Sequence, residues 1–143
     1  MQLYYHFPFI MIMLPMVMSL VLLPLRNKML LRHITMLVQG ILAVLSLMLF
    51  TYFLNGNTTH FTYSMGYFPA PWGNELRAGL IETIMSGAFT IVLFFSVMGG
   101  GSDASRDVKP EKLHYFYIMI NLLTSSLMAL VYTNDIFTGY VFM

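Results

Sequence analysis

The chain has no cysteine and few charges. Of its 143 residues only 9% are Asp, Glu, Lys or Arg, against roughly a quarter in an ordinary soluble domain. Without cysteine there is no disulfide framework, no thiolate metal site and no cysteine nucleophile. With so few charges the chain cannot coat a water-facing surface, and no Lys/Arg cluster is large enough to neutralise a row of phosphates, which excludes nucleic acid as a partner. Four histidines remain as soft-metal ligands, and His6, His33, His60 and His114 do not fall on one helix face at ligand spacing. The segment GGGS at 99–102 is not a phosphate loop, because no Lys-Ser/Thr follows at the required spacing and no strand precedes it. No catalytic, cofactor-binding or metal constellation is present, so the residues assign no cofactor to this chain.

What the sequence has is apolar bulk: 58% of residues are hydrophobic, including 14 Met, 12 Phe and 9 Tyr. A helix crossing the hydrocarbon core needs about 20 apolar residues. Four stretches approach that length, at about 8–25, 34–54, 79–99 and 113–132, and a fifth apolar stretch begins at 139–143. The fold class expected is therefore all-α integral membrane, one segment of about four transmembrane helices. The N-terminus lacks the basic start and small-residue cleavage site of a signal peptide, so the first run is expected to be retained. Pro15 is expected to kink it, with neighbouring helices satisfying the freed carbonyl.

The connections differ in charge. Arg26, Lys28 and Arg32 lie between the first two runs, and Arg106, Lys109 and Lys112 between the third and fourth, whereas the connection after the second holds only Arg77. The positive-inside rule then makes the loops at 26–33 and 100–112 cytoplasmic and puts the N-terminus outside the cell membrane. In the outer connection, Phe61, Tyr63 and Met65 alternate with His60, Thr62 and Ser64, and the run YFPAPWG follows. This period of two predicts a short β-hairpin or strand between the second and third helices. Tyr67, Phe68 and Trp72 suit an interfacial belt. Residues 99–110, GGGSDASRDVKP, read as a flexible linker.

Three side chains are candidates for an ion pathway: Glu82, His114 and Asp135. Glu82, a turn into the third helix, is either a cation- or proton-handling carboxylate or a side chain at the outer headgroup level, near Arg77 or a neighbouring subunit. Asp135 either guards an ion entrance or caps a following helix, for which Thr138 and Gly139 are other starts. His114, at the inner end of the fourth helix, is either a proton shuttle or an interfacial histidine with no special role. Asn121, Thr124, Ser125 and Ser126 make the middle of the fourth helix polar, a pattern that serves helix packing.

The order of two helices, GYFPAPWGNELR, a third helix, a linker and a fourth helix ending TNDIFTGYVF resembles the N-terminal region of the antiporter-like subunits of complex I and their relatives. It is most similar to the D-type subunit of Mrp sodium/proton antiporters and its counterparts in membrane-bound hydrogenases. The resemblance covers essentially the whole chain and about a third of such a subunit. It matches Asp135, Phe137, Tyr140, Val141 and Phe142 to the entry of the family's fifth helix, and residues 60–76 to its outer hairpin region. The family's proton-handling glutamate follows directly after that fifth-helix entry, and its lysines lie on later broken helices, so the core charges are expected beyond Met143. Where the family often carries an Asp at the start of the third helix, this chain has Ala78 and Gly79, with Glu82 a turn later.

The resemblance implies part of a proton- or sodium-translocating antiporter-like module in a multisubunit membrane complex, supplying N-terminal helices rather than the core ion-carrying charges. The chain is then not catalytic by itself but a subunit of an ion-translocating oxidoreductase or of an antiporter. Its partners are lipid, other membrane subunits, and a chain expected to continue the fold after Met143, because an unfinished helix leaves apolar surface and unsatisfied carbonyls. The alternatives are a reduced relative in which the helices persist as scaffold, and a scaffold subunit with no ion conduction of its own.

Overall fold

The architecture is that of a computed structural model describing residues 2–56, 59–64, 75–109, 111–134 and 140–141. A one-turn helix α1 (Gln2–Tyr5) leads into α2 (Phe7–Leu22), followed by α3 (Lys28–Leu54), strands β1 (His60–Ser64) and β2 (Glu75–Gly79), α4 (Leu80–Asp107) and α5 (Leu113–Tyr132). Three helices, Lys28–Leu54, the Leu80–Gly101 part of α4, and Leu113–Tyr132, are long and apolar enough to cross a membrane. The fourth apolar helix, Phe7–Leu22, has 16 residues, or about 24 Å at 1.5 Å per residue. That is shorter than the roughly 30 Å hydrocarbon core.

The element boundaries have local causes. Proline is tolerated in a first helical turn, where its missing N–H is an orphan anyway, and Pro8 occupies such a position in α2. The same helix ends ahead of Pro24, which has no N–H to continue the ladder; the amides of Leu23 and Leu25 instead bond three residues back, to the Leu20 and Leu22 carbonyls, so the expected extension to Leu25 is not made. Helix α3 starts at Lys28 rather than at 34, because the Asn27 side chain caps it by accepting a hydrogen bond from the Met29 amide at 3.2 Å. Its charged first turns were discounted by hydropathy but are compatible with helix. Helix α4 likewise runs through the expected linker to Asp107, so Gly99, Gly100 and Gly101 are helical. Glycine costs about 1 kcal/mol in a helix interior without forbidding it. Helix α5 occupies the expected 113–132.

The expected strand forms, but its partner lies beyond the run YFPAPWG. Strand β1 pairs antiparallel with β2, His60 opposite Gly79 and Ser64 opposite Glu75. The segment ELRAG, whose end was expected to begin the third helix, is thus a strand. Tyr67, Phe68 and Trp72, proposed for an interfacial belt, lie outside the described residues. Strand β2 also meets the end of α5: Leu76 bridges Thr133, and the Asn134 amide donates to the Glu75 carbonyl at 3.0 Å. An aromatic cluster closes this end of the bundle. Tyr4 stacks on Tyr52 at 4.7 Å and Phe53 on Phe61 at 5.8 Å, with Phe9 and Tyr63 alongside.

The closest packing is between α3 and α4 and between α2 and α5, and α4 against α5 joins the two pairs. One buried core, including Phe7, Met11, Leu42, Leu49, Phe53, Leu76 and Tyr132, lies toward the sheet. A second, including Leu22, Leu31, Leu113 and Tyr117, lies toward the α2–α3 and α4–α5 connections. These two connections therefore share one end of the bundle and the sheet marks the other. Large apolar side chains such as Leu37, Val44, Ile81, Val92 and Met119 cover the outside, at 57–71% exposure. This inversion of the soluble pattern suits a lipid surround.

Candidate functional site

Ten polar side chains of the helices are buried inside the bundle. Thr35, Gln39 and Ser46 on α3, Thr83, Ser86 and Thr90 on α4, Asn121, Thr124 and Ser125 on α5, and Ser19 on α2 are all buried. In helix α3 the positions 35, 39, 42, 46, 49 and 53 lie three or four residues apart, one face of the helix, and all are buried. Two polar clusters share this face, separated by Leu42.

The first cluster lies toward the sheet and draws one residue from each of four helices. Ser46 Oγ is 3.0 Å from Ser86 Oγ, Ser86 Oγ is 2.8 Å from the Tyr132 hydroxyl, and Tyr132 donates to Met11 Sδ at 3.5 Å. The Thr83 carbonyl can accept from either Ser46 or Ser86, each at 3.0 Å. Each hydroxyl has one proton, so these bonds are alternatives within one connected set. The close α3–α4 approach needs a small residue: a Cβ at Gly87 would sit 3.0 Å from Ser46 Oγ.

In the second cluster, Gln39 Nε2 donates to Thr124 Oγ1 at 2.7 Å, and Asn121 Nδ2 donates to Thr35 Oγ1 at 3.1 Å and to the Tyr117 carbonyl at 2.9 Å. The amide oxygens Gln39 Oε1 and Asn121 Oδ1 accept no hydrogen bond among the described residues. Ser125 Oγ donates to the Ile12 carbonyl at 2.8 Å, linking α5 to α2 one residue from the carbonyl that Pro15 deprives of its amide partner. Beyond this cluster Arg32 reaches across to α4 and donates from Nη2 to the Met98 carbonyl at 2.6 Å. A side chain at position 101 would occupy that space, since a Cβ there would lie 2.5 Å from Arg32 Cζ. Gly101 therefore admits the guanidinium.

The expected pathway residues are not brought together. Glu82 lies in the first turn of α4 at the sheet end, 3.7 Å from Arg77 Nε, with 23% of its side chain exposed. Arg77 is thus beside it, and the helix N-terminus adds a favourable field for a carboxylate. His114 lies at the opposite end of the bundle, partly buried, with its ring 3.8 Å from that of Tyr115. It lines a cleft with Arg26, Lys28 and Glu111. Asp135 lies outside the described residues, as do Thr138 and Gly139. Among the described residues no three His, Asp or Glu side chains converge as a metal site.

Asn121, Thr124 and Ser125 hold neighbouring helices, as their position in the sequence suggested. Their partners on α3 and the hydroxyl cluster on α4 were not singled out. The available signal was the spacing of Thr35, Gln39 and Ser46, and of Thr83, Ser86 and Thr90, each set recurring on one helix face. What the clusters offer chemically is neutral hydrogen bonding between helices, with no side chain ionised near pH 7 within either. Compared with models of known families and with curated proteins, the chain matches none.

Proposed function

We propose that the chain is part of a proton- or sodium-translocating, antiporter-like module of a multisubunit complex in the cell membrane, and that it supplies helices rather than the core ion-carrying charges. In this reading the four apolar helices cross the bilayer four times, α2 spanning a locally thinned region or extending through its flanking residues. The N-terminus and the sheet face outward and the basic connections face the cytoplasm. Other membrane subunits and lipid cover the apolar exterior, and any redox cofactors belong to those subunits.

The observation that carries the reading is an interior that is polar but uncharged. The two clusters join the helices through hydroxyls and amides, while Glu82 is engaged by Arg77 at the end of the bundle. Such an interior suits a wall, and the resemblance of the GYFPAPWG and DIFTGYVF segments to antiporter-like subunits supports assigning that wall to such a module. Deleting the chain should abolish ion-dependent pH changes in inverted membrane vesicles, and restoring it should recover them. Unchanged ion movement without the chain would overturn the proposal. Proteins recovered with the tagged chain distinguish a redox-driven complex, with metal-cluster subunits, from an antiporter without them.

The same uncharged interior favours a second reading, a scaffold subunit with no ion conduction of its own. Glu82→Gln, His114→Gln and Asp135→Asn, made singly, separate the two. Unchanged flux and intact assembly in all three favour the scaffold, and lost flux with intact assembly in any one assigns that residue to the ion entrance.

A further inference from the structure

At the end of the bundle away from the sheet, Arg26, Lys28, Glu111, His114 and Tyr115 line a cleft of about 260 Å³. Arg26 and Lys28 come from the α2–α3 connection and the start of α3, His114 and Tyr115 from the start of α5, so the fold assembles the cleft from separate parts of the chain. Neither Arg26 nor Lys28 forms an ion pair among the described residues, and the lining keeps an excess of positive charge over the carboxylate of Glu111. Next along α5, Phe116, Met119, Leu122, Leu123 and Ser126, all of that helix, border a shallow, wide-open and largely apolar groove. From His114 to Leu123 the helix advances about 14 Å. The cationic cleft and the apolar groove thus adjoin along α5, since Tyr115 lines the first and Phe116 the second, and an amphipathic ring such as that of Tyr115 suits the edge of a bilayer.

We infer that this surface binds one anionic phospholipid, its phosphate held by Arg26 and Lys28 and one acyl chain lying in the α5 groove. Charge complementarity selects the headgroup and the groove selects a ligand that carries a chain, a combination that a free phosphate does not satisfy. Basic pockets between membrane helices are suited to such headgroups, each Lys or Arg near the surface adding about fivefold to the affinity. The inference goes beyond the proposed function and requires only that the chain lies in a bilayer. Its test does not read ion flux.

The chain carrying Trp72→Phe and Leu123→Trp, purified free of other subunits, has one tryptophan, in the groove, because Trp72 is the only one in the sequence. It is reconstituted in phosphatidylcholine vesicles containing phosphatidylglycerol or phosphatidylcholine with brominated acyl chains, and quenching is compared at equal mole fraction. Leu122→Trp serves as a second reporter. Brominated phosphatidylglycerol should quench at a several-fold lower mole fraction. Arg26→Gln with Lys28→Gln should lower that preference at least about fivefold, Glu111→Gln should raise it, and the off-cleft pair Arg106→Gln with Lys109→Gln should leave it unchanged. Equal quenching by the two lipids, a preference that survives the Arg26/Lys28 change, or its loss in the off-cleft pair would overturn the inference. Removal of the preference by millimolar glycerol phosphate would overturn it in favour of a soluble-phosphate site, and the absence of quenching by either lipid would overturn it in favour of a protein covering the groove.

Discussion

Both polar clusters join α3 to another helix, and they close their hydrogen bonds differently. Toward the sheet, Ser46, Ser86 and Tyr132 are hydroxyls with one proton each, and the helical backbone offers them nearby carbonyls, as Thr83 shows by donating to Gly79 at 2.7 Å. On the other side of Leu42, Gln39 and Asn121 are amides with two donor hydrogens and a two-lone-pair oxygen, and their oxygens accept nothing among the described residues. Inside a membrane, where water is scarce, hydroxyls are self-sufficient glue, whereas amides fix a specific partner and leave acceptor capacity unused. The hydroxyl set should therefore be the stability anchor and the amide set the determinant of α3–α5 register.

The comparison breaks most visibly at Tyr132, which is fully buried and joins the hydroxyl set to α2. Tyr132→Ala should destabilise the protein by about 3 to 5 kcal/mol, measured as the shift in unfolding in mixed detergent micelles. Ser86→Ala should cost about 1 kcal/mol in the same assay, because Tyr132 and Ser46 retain Met11 and the Thr83 carbonyl as partners. At the amide set, a double-mutant cycle of Gln39→Leu and Thr124→Val should give a coupling of about 0.6 kcal/mol. The Gln39→Leu change should cost less than Ser86→Ala, since it also removes an unpartnered buried oxygen. A larger cost at Gln39 would reverse the assignment of anchor and register. Glu82→Gln should be smallest, about 0.2 to 0.5 kcal/mol, because its pairing with Arg77 at 3.7 Å is partly exposed.

Apolar runs made the helices legible in the sequence, most fully for α5, whose expected and observed limits coincide. Boundaries set by backbone chemistry were less so. Lys28, Arg32 and His33 continue α3 because a helix needs no apolar residues at its ends once Asn27 caps it, and Gly99, Gly100 and Gly101 continue α4 despite their cost. Strand β2 was not legible because the alternation of Glu75, Leu76, Arg77 and Ala78 is short and built from residues that do not favour strands, and the segment owes its conformation to pairing with β1 and contact with Thr133. Of the site, the packing role of Asn121, Thr124 and Ser125 could be read from one helix, whereas the hydroxyl chain required knowing that Ser46, Ser86 and Tyr132 meet. The cleft around His114 was hidden for the same reason, being assembled from two connections distant in sequence.

Four crossings with both basic connections on one side can be tested with introduced thiols, each unique within a chain that has no cysteine. Single variants His6→Cys, Asn27→Cys, Asn55→Cys and Lys109→Cys, labelled in right-side-out and inverted vesicles with a membrane-impermeant maleimide, read the side of each helix end. With four crossings, positions 6 and 55 react only from the outside and positions 27 and 109 only from the cytoplasmic side. Reaction of positions 6 and 27 from the same side would show that α2 does not cross, and would contradict that arrangement.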